Sequence, residues 1–299
     1  MKTYFLDTET TGLNPAVEGI VELAIVDENG DAVLQTLVDP GKCIPPEATA
    51  VHGITDAMIL KAPRLSQLWP QIEALLSGHR VVAYNAAYDR KFFPDNLNCS
   101  EVVCAMHRFT KLWRQRHFRE DSAYRTINLA KASEYTGHVW SGDAHRALAD
   151  TQACRTVWNW CEAHERPGIN ISSNTKGLGG ALTNPTEKAF LKGKIKHSYP
   201  VVWKGTRFPD VEAAYQSYKT ADEQANDQIQ AEIIQAKLTQ HPKLLEAVRS
   251  RGGEDFIVAC SHKVGAVTDR AKSWEGQGMQ SRFLRNLRVG YILAEATSV

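Results

Sequence analysis

The sequence predicts an α/β chain of two domains, a mixed sheet with flanking helices followed by a smaller α+β domain. The first half opens with short apolar or alternating runs separated by turn residues, and it continues with alternating strand-like and helix-like segments. Residues 167–181 then lose this periodicity and are rich in glycine, serine and asparagine, as linkers are. A second patterned region follows. We therefore expect domains at residues 1–166 and 182–299, joined by a linker at 167–181.

The elements of the first domain follow from periodicity and turn residues. Asn29-Gly30 is a turn between two apolar runs, which together with the first run predict an antiparallel meander. Gly78 ends a segment with apolar residues at helical spacing. The predicted elements are, in chain order, strands at 4–6, 20–27 and 32–38, a helix at 65–76, a strand at 81–84, a helix at 86–93, a strand at 102–105, two helical stretches and a final helix at 144–162.

The second domain has fewer clear elements. A strand is predicted near 199–208, and helices begin at Val211 and at Asn226. The apolar run 256–260 predicts another strand, and 283–294 predicts the last helix.

Composition limits the class of protein. Of 299 residues, 43% are hydrophobic and 23% charged, which is typical of a globular protein in water. No apolar run reaches the ~18 residues of a membrane span, and Asp7 comes too early for a signal peptide, so we expect a cytoplasmic protein with no membrane partner. The six cysteines form no Cys-x-x-Cys pair, which argues against a zinc ribbon. The net charge of +1 favours contact with a few nucleotides at a strand end over a grip on long duplex.

Carboxylates recur at positions where strands are predicted to end. Asp7 and Glu9 follow the first strand and, at a period of two, share one face about 7 Å apart. Asp89 follows the buried strand 81–84, at the edge of the sheet where active sites of α/β proteins gather. Carboxylates on one face repel each other unless a cation lies between them.

His145 and Asp150 complete the set. Five residues on a helix turn through about 500°, so the two side chains cannot share a helix face. We therefore expect His145 on the loop or first turn after Ser141-Gly142, above a site that Asp150 lines.

The segments Asp-x-Glu-Thr-Thr-Gly from Asp7, Asn-Ala-x-Tyr-Asp from Asn85 and His-x(4)-Asp from His145, in this order, resemble the DEDDh 3′→5′ exonucleases, which include exonuclease X and the epsilon subunit of polymerase III. The segment from Ile44 to Thr55 also matches that family. The resemblance covers about residues 1–163. It implies a ribonuclease H-like fold and two bound divalent ions.

The resemblance also assigns roles. Hard carboxylate oxygens suit Mg²⁺ or Mn²⁺, and two such ions clamp the attacking and leaving oxygens of a phosphodiester displacement. His145 would be the general base, a task suited to an imidazole near neutral pH, and Glu9 would also take a catalytic part. The metal ligands would be Asp7, Glu9, Asp89 and Asp150. The residues that hold the terminal nucleotide would be Thr11, Gly12, Leu13, His52 and Asn85, with Leu13 wedged between bases.

The stretch from His107 to Arg125 mixes basic and aromatic residues. This composition suits single-stranded nucleic acid with a free 3′ end, because phosphates pair with the charges and bases stack on the rings. An amphipathic helix with a cationic, solvated face explains the pattern equally well.

The segment from Trp203 to Lys219 predicts a strand, a turn and a helix that carries Glu212. On pattern alone, Glu212 belongs to a solvated polar stripe. This segment resembles the NADAR (YbiA-like) family, as do Trp274-Glu275-Gly276-Gln277-Gly278 and a later helix that contains Gly-Tyr. The resemblance covers about residues 182–296. This resemblance implies an N-glycosidase, with Glu212 as a catalytic acid or base and Trp274 as a stacking wall for ADP-ribose or another ribosyl nucleotide. Ala259 and Asn286 depart from the family pattern, which leaves a nucleotide-binding module as the alternative.

Three functions stay open. The first is a 3′→5′ exonuclease with an appended NADAR-like domain. The second is principally an ADP-ribosyl or N-glycosidic hydrolase acting on nucleic acid, with an accessory nuclease. The third is an inactive module that binds strand ends, against which the full carboxylate set argues because clustered, unneutralised carboxylates destabilise a fold.

Overall fold

The computed structural model describes residues 1–94, 97–117, 126–142 and 144–297. The chain divides into two compact units, the first comprising Met1–Thr110 and Tyr124–Ala163 and the second Lys111–Ala123 and His164–Val299. The two units are about equal in length. Within the described ranges, no helix combines the length and apolar character needed to cross a membrane.

The first unit contains a five-stranded mixed sheet in the order β3-β2-β1-β4-β5. The first three strands pair antiparallel as the predicted meander, while β4 runs parallel to β1 and to β5. This topology places the carboxyl ends of β1 and β4 side by side. The strands are β1 (Thr3–Thr10), β2 (Ile20–Val26), β3 (Ala32–Leu37), β4 (Arg80–Ala83) and β5 (Glu101–Cys104).

Among the described residues up to His164, the chain forms seven helices. The helix at Leu65–Leu76 has the predicted bounds, while the first two helices were not predicted, because they are short and bury few apolar side chains. The predicted helix at 86–93 is a short helix followed by a 3-10 turn, Arg90–Phe92. The helices are α1 (Pro46–His52), α2 (Asp56–Ile59), α3 (Leu65–Leu76), α4 (Ala86–Asp89), α5 (Ala105–Arg116), α6 (Leu129–Thr136) and α7 (Ala147–His164).

The last of these helices begins three residues later than predicted, at Ala147 rather than Ala144. The backbone of His145 has φ +62°, in the left-handed region, which no residue of a right-handed helix adopts. His145 therefore lies on the loop before α7, as expected from its spacing to Asp150.

The core of the first unit is built around the strand β2. All seven of its residues are buried, and one of them is the charged residue Glu22. A charge in such a place requires a partner.

The second unit contains eight helices and two small antiparallel sheets among its described residues. The predicted strand 199–208 is a hairpin of two short strands that turns at Lys204-Gly205. The elements are α8 (Leu178–Leu182), α9 (Thr186–Leu191), β6 (Val201–Trp203), β7 (Thr206–Phe208), α10 (Val211–Tyr218), α11 (Glu223–Gln240), α12 (Pro242–Arg249), α13 (Glu254–Ala259), β8 (Ser261–His262), α14 (Asp269–Lys272), β9 (Gly276–Gln277) and α15 (Arg282–Ala296).

The predicted strand at 256–260 is wrong, because this segment forms the helix α13. A five-residue apolar run does not distinguish a buried strand from a buried helix turn. Gly253 precedes the helix at φ +59°, and Glu254 and Asp255 place negative charge in its first turn, where the helix dipole favours it.

The predicted linker at 167–181 is part of the second unit. Ile171 is fully buried in its core, and α8 begins at Leu178. A Cβ on Gly179 or on Gly180 would lie 2.4 Å from a neighbouring backbone oxygen. These glycines permit close packing rather than flexibility.

The basic, aromatic stretch is largely structural where it is described. Phe109 is fully buried, and the Arg108 guanidinium lies 4.1 Å from the centroid of the Trp158 ring. Arg116 forms an ion pair with Asp255 inside the second unit. Phe118, Arg119 and Arg125 lie outside the described residues.

Candidate active site

Three carboxylates from two elements meet at the end of the strand β1. Asp7 and Glu9 lie on β1, and Asp150 lies in the first turn of α7. Each offers an oxygen, and these oxygens lie within 4.8 Å of one another. Three oxygens at this separation can hold a divalent cation.

Asp89 lies at the end of α4, close to the carboxyl end of β4, and is buried. Its Oδ1 accepts a hydrogen bond of 2.9 Å from the Thr8 hydroxyl. Burial raises the pKa of Asp89 to about 6. Asp89 stands outside the 4.8 Å group, but its charge still raises the pKa of Asp7 and of Glu9.

The cluster lacks enough positive charge of its own. Burial, and after it the charges of the neighbouring carboxylates, hold the pKa of Asp7 well above its usual range. The same causes raise the pKa of Glu9 to about 8, although Arg146 lowers it. Burial also raises the pKa of Asp150, against the opposing effect of His145. Carboxyl groups that resist ionisation in this way are suited to a bound cation, which would reverse the shifts.

His145 lies at the rim of this cluster. Its side chain is exposed, and its backbone N–H donates a hydrogen bond of 3.2 Å to Asp150 Oδ1. The imidazole also lies close enough for its charge to lower the pKa of Asp150. The structure thus brings together the predicted base and three of the four predicted ligands, with Asp89 beside them.

An ion pair between a half-buried arginine and a buried glutamate beside the cluster was not predicted. Arg146 donates from Nε and from one terminal nitrogen to the two carboxylate oxygens of Glu22, at 3.0 and 2.7 Å. Glu22 is opposite Glu9 in the register of β1 and β2. A single charged residue within the apolar run from Ile20 to Val26 was the signal that could have revealed it.

The predicted nucleotide-binding turn after β1 is held by hydrogen bonds within the turn itself. The Thr11 hydroxyl donates to the Glu18 carboxylate and accepts from the Gly19 N–H at 3.0 Å, so its polar atoms are already paired. The Gly12 carbonyl accepts from the Thr10 hydroxyl at 2.9 Å. The side chain of Leu13 is 84% exposed at the tip of the turn.

His52 and Asn85 lie on other segments of the same unit. His52 is buried at the end of α1, where Nδ1 accepts the Ile54 N–H at 3.0 Å. Its Nε2 is buried and has no hydrogen-bond partner among the described residues. Asn85 is exposed immediately before α4. Burial lowers the pKa of His52, against the opposing effect of the nearby Thr10 backbone, so the neutral ring is favoured.

A separate cavity of about 560 Å³ lies in the second unit, and both Glu212 and Trp274 line it. Glu212 accepts a hydrogen bond of 2.7 Å from Gln216, and the Arg282 guanidinium lies 4.7 Å from the centroid of the Trp274 ring. Asn184 also lines the cavity, and its buried Oδ1 has no partner among the described residues.

The two residues that depart from the NADAR pattern, Ala259 and Asn286, lie elsewhere in the second unit. Ala259 ends α13, and Asn286 is buried on α15, where its amide donates to Asp227 and Gln230 at 2.8 and 2.9 Å. Neither is among the residues that line the cavity.

Comparison with known proteins adds to this geometry. The RNase_T family, described as Exonuclease, matches residues 4–157. An uncharacterized exonuclease of Escherichia phage 186 is 35% identical over 177 residues, which are 55% of this chain and 88% of the phage protein. Exodeoxyribonuclease 10 of Escherichia coli K12 is 34% identical over 148 residues, which are 48% of this chain and 61% of that protein.

Among solved structures, exonuclease X in complex with 5′ overhanging duplex DNA is similar to this chain, with 27% identity and a TM-score of 0.43. The match covers 54% of this chain and 91% of exonuclease X.

Proposed function

We propose that this chain is a metal-dependent 3′→5′ exonuclease. It belongs to the RNase_T exonuclease family, and its first half has that family's α/β mixed-sheet, ribonuclease H-like fold. It would release nucleoside monophosphates from the 3′ end of nucleic acid. The observation that carries the proposal is the cluster of Asp7, Glu9 and Asp150 with His145 at its rim.

The cluster fits divalent metal. Its donors are all carboxylate oxygens, which suit Mg²⁺ or Mn²⁺ rather than softer ions. Asp89, beside the group of three, brings the number of candidate ligands to the four that the family motif supplies, enough for two ions. Such ions, when bound, would stabilise charge on the attacking and leaving oxygens of the phosphodiester.

His145 would accept a proton from the attacking water. Its loop position leaves the imidazole exposed at the edge of the cluster, where the water would reach the terminal phosphorus. A new bond from the water oxygen to phosphorus forms as the bond from phosphorus to the preceding O3′ breaks. The leaving O3′ takes a proton from solvent, so the products are a nucleoside 5′-monophosphate and a strand with a new 3′ hydroxyl.

The turn from Thr11 to Leu13 would hold the terminal nucleotide. Leu13 is suited to insertion between bases because it is large, apolar and exposed. Thr11, whose hydroxyl is already paired, would act by fixing the turn. His52, at the end of α1, and Asn85, just before α4, would also hold the nucleotide, as the family resemblance implies. The name of exodeoxyribonuclease 10 favours DNA as the substrate.

A single-stranded oligonucleotide labelled at one end tests the proposal. With Mg²⁺ and a 5′ label, we expect a ladder of products that shortens with time, and with a 3′ label we expect immediate release of labelled mononucleotide. Chelation of the metal by EDTA should stop both. Release of a 5′-labelled mononucleotide at the outset, or full activity in EDTA, would contradict the proposal.

For the second unit, we propose a NADAR-like domain that binds ADP-ribose or a related ribosyl nucleotide and acts as an N-glycosidase or as a binding module. The supporting observation is that Glu212 and Trp274, far apart in sequence, line one cavity large enough for such a ligand. Trp274 would stack on the base, and Glu212 would serve as acid or base.

Trp274→Ala should weaken binding of ADP-ribose to the full chain by about tenfold or more, since stacking on an aromatic ring contributes ~1–3 kcal/mol per base. Isothermal titration calorimetry measures the change. Trp203→Ala is the control, because Trp203 is a half-buried tryptophan of the same unit that does not line the cavity. If the wild-type chain binds neither ADP-ribose nor any other ribosyl nucleotide, the proposal for the second unit is wrong.

A further inference from the structure

Both carboxylate oxygens of Glu22 accept hydrogen bonds from the segment that follows His145. Its side chain is 3% exposed, and its two oxygens accept from the Arg146 guanidinium at 3.0 and 2.7 Å. The oxygen that accepts from Arg146 Nε also accepts the Ala147 N–H, at 3.0 Å. All three contacts come from the two residues directly after His145.

The segment is also attached from its other side. The N–H of His145 itself donates to Asp150, one turn further on. Between these two attachments, His145 adopts φ +62°, which is uncommon for a residue other than glycine and persists only where the surroundings enforce it. The backbone on both sides of His145 is therefore bonded to these two carboxylates.

Glu22 has the position of a further metal ligand but not the chemistry of one. It lies opposite Glu9 in the strand register, and its charge raises the pKa of that residue. Its oxygens, however, are occupied by charge-assisted hydrogen bonds, and Arg146 supplies its counter-charge. Glu22 is also absent from the carboxylate group whose oxygens lie within 4.8 Å.

We propose that Glu22 is a positioning residue of the exonuclease reaction. Through Arg146 and the Ala147 N–H it holds the loop so that the imidazole of His145 faces the carboxylate cluster. This inference rests on the proposed exonuclease function and adds a residue that the family motifs do not contain.

The test compares Glu22→Gln with Arg146→Gln, which breaks the same pair from its more exposed side. Each variant should lower kcat by roughly 10–100-fold, the usual effect of losing a residue that orients a ligand or base. KM for the oligonucleotide and the affinity for Mn²⁺ should stay as in the wild type. The double variant should lose less than the product of the single effects, because one interaction is removed twice.

Glu101→Gln is the control, since it breaks the ion pair of Glu101 with Arg80 on the same sheet, away from the cluster. Hydrogen exchange of residues 144–150 supplies a readout that does not depend on activity, and both site variants should exchange faster there than the wild type. Unchanged kcat in both variants would overturn the proposal, as would a loss of Mn²⁺ affinity in Glu22→Gln, which would make Glu22 a ligand. A wild type that degrades no nucleic acid would refute the exonuclease function, while hydrogen exchange would still test the positioning of the loop.

Discussion

Asp7→Asn is expected to lower the rate of 3′-end degradation by about 10³-fold or more, because it removes a proposed ligand of ions that would contribute several kcal/mol of transition-state stabilisation. Asp150→Asn should have an effect of the same order. The measurement is the rate of mononucleotide release from a 3′-labelled single strand at saturating Mg²⁺. Glu28→Gln, at an exposed carboxylate of the same unit, should degrade the strand at the wild-type rate.

Thermal unfolding distinguishes loss of metal from loss of fold. In the protein without metal, the raised pKa values of Asp7 and Glu9 mean that stability falls as pH rises from the ordinary carboxyl range to about 8. At alkaline pH without metal, Asp7→Asn should therefore unfold at a higher temperature than the wild type. Added Mn²⁺ should stabilise the wild type and have less effect on the variant. Near-normal degradation by Asp7→Asn, or equal stabilisation by Mn²⁺, would contradict the metal assignment.

The placement of the carboxylates in the first unit could be predicted from sequence because each of them lies in a distinctive local setting. Asp7 and Glu9 share a strand face, and Asp89 follows a buried strand. The five-residue spacing from His145 to Asp150 excludes a shared helix face, and the structure places His145 on the loop.

Glu22 shows where sequence reasoning was insufficient. Its partner Arg146 is distant along the chain and contacts it only because β2 packs under the start of α7. A charged residue in an apolar strand signals a buried partner, but nothing in the local pattern identifies which residue that is.

The glycines at the end of the predicted linker 167–181 have a different role in the second unit. Gly179 and Gly180 have the composition of a linker, yet they allow the backbone near Asn170 and Thr175 to approach closely. Composition alone cannot separate these two uses of glycine, because close approach is a property of the folded chain.

The Glu22–Arg146 pair and the Asp150 contact together explain how the proposed base can occupy an exposed loop. Arg146 and Ala147 hydrogen-bond the loop to Glu22 on β2, and the His145 N–H bonds to Asp150. The backbone of His145 is thereby fixed, while its imidazole is exposed. An exposed side chain on a fixed backbone can reach water at the edge of the cluster without a rearrangement of the loop.

His145→Ala should lower kcat by roughly 10²–10⁴-fold, the range for loss of a general base, while Mn²⁺ binding is largely kept because His145 is proposed as a base and not as a ligand. His197→Ala, at an exposed histidine of the second unit, is the matched control and should leave kcat unchanged. Added imidazole should restore part of the lost rate, since a free base can occupy the space left at the exposed rim, and it should not rescue Asp7→Asn. A His145→Ala variant that fails to bind Mn²⁺ would make His145 a ligand, and one that keeps the wild-type kcat would exclude it as the base.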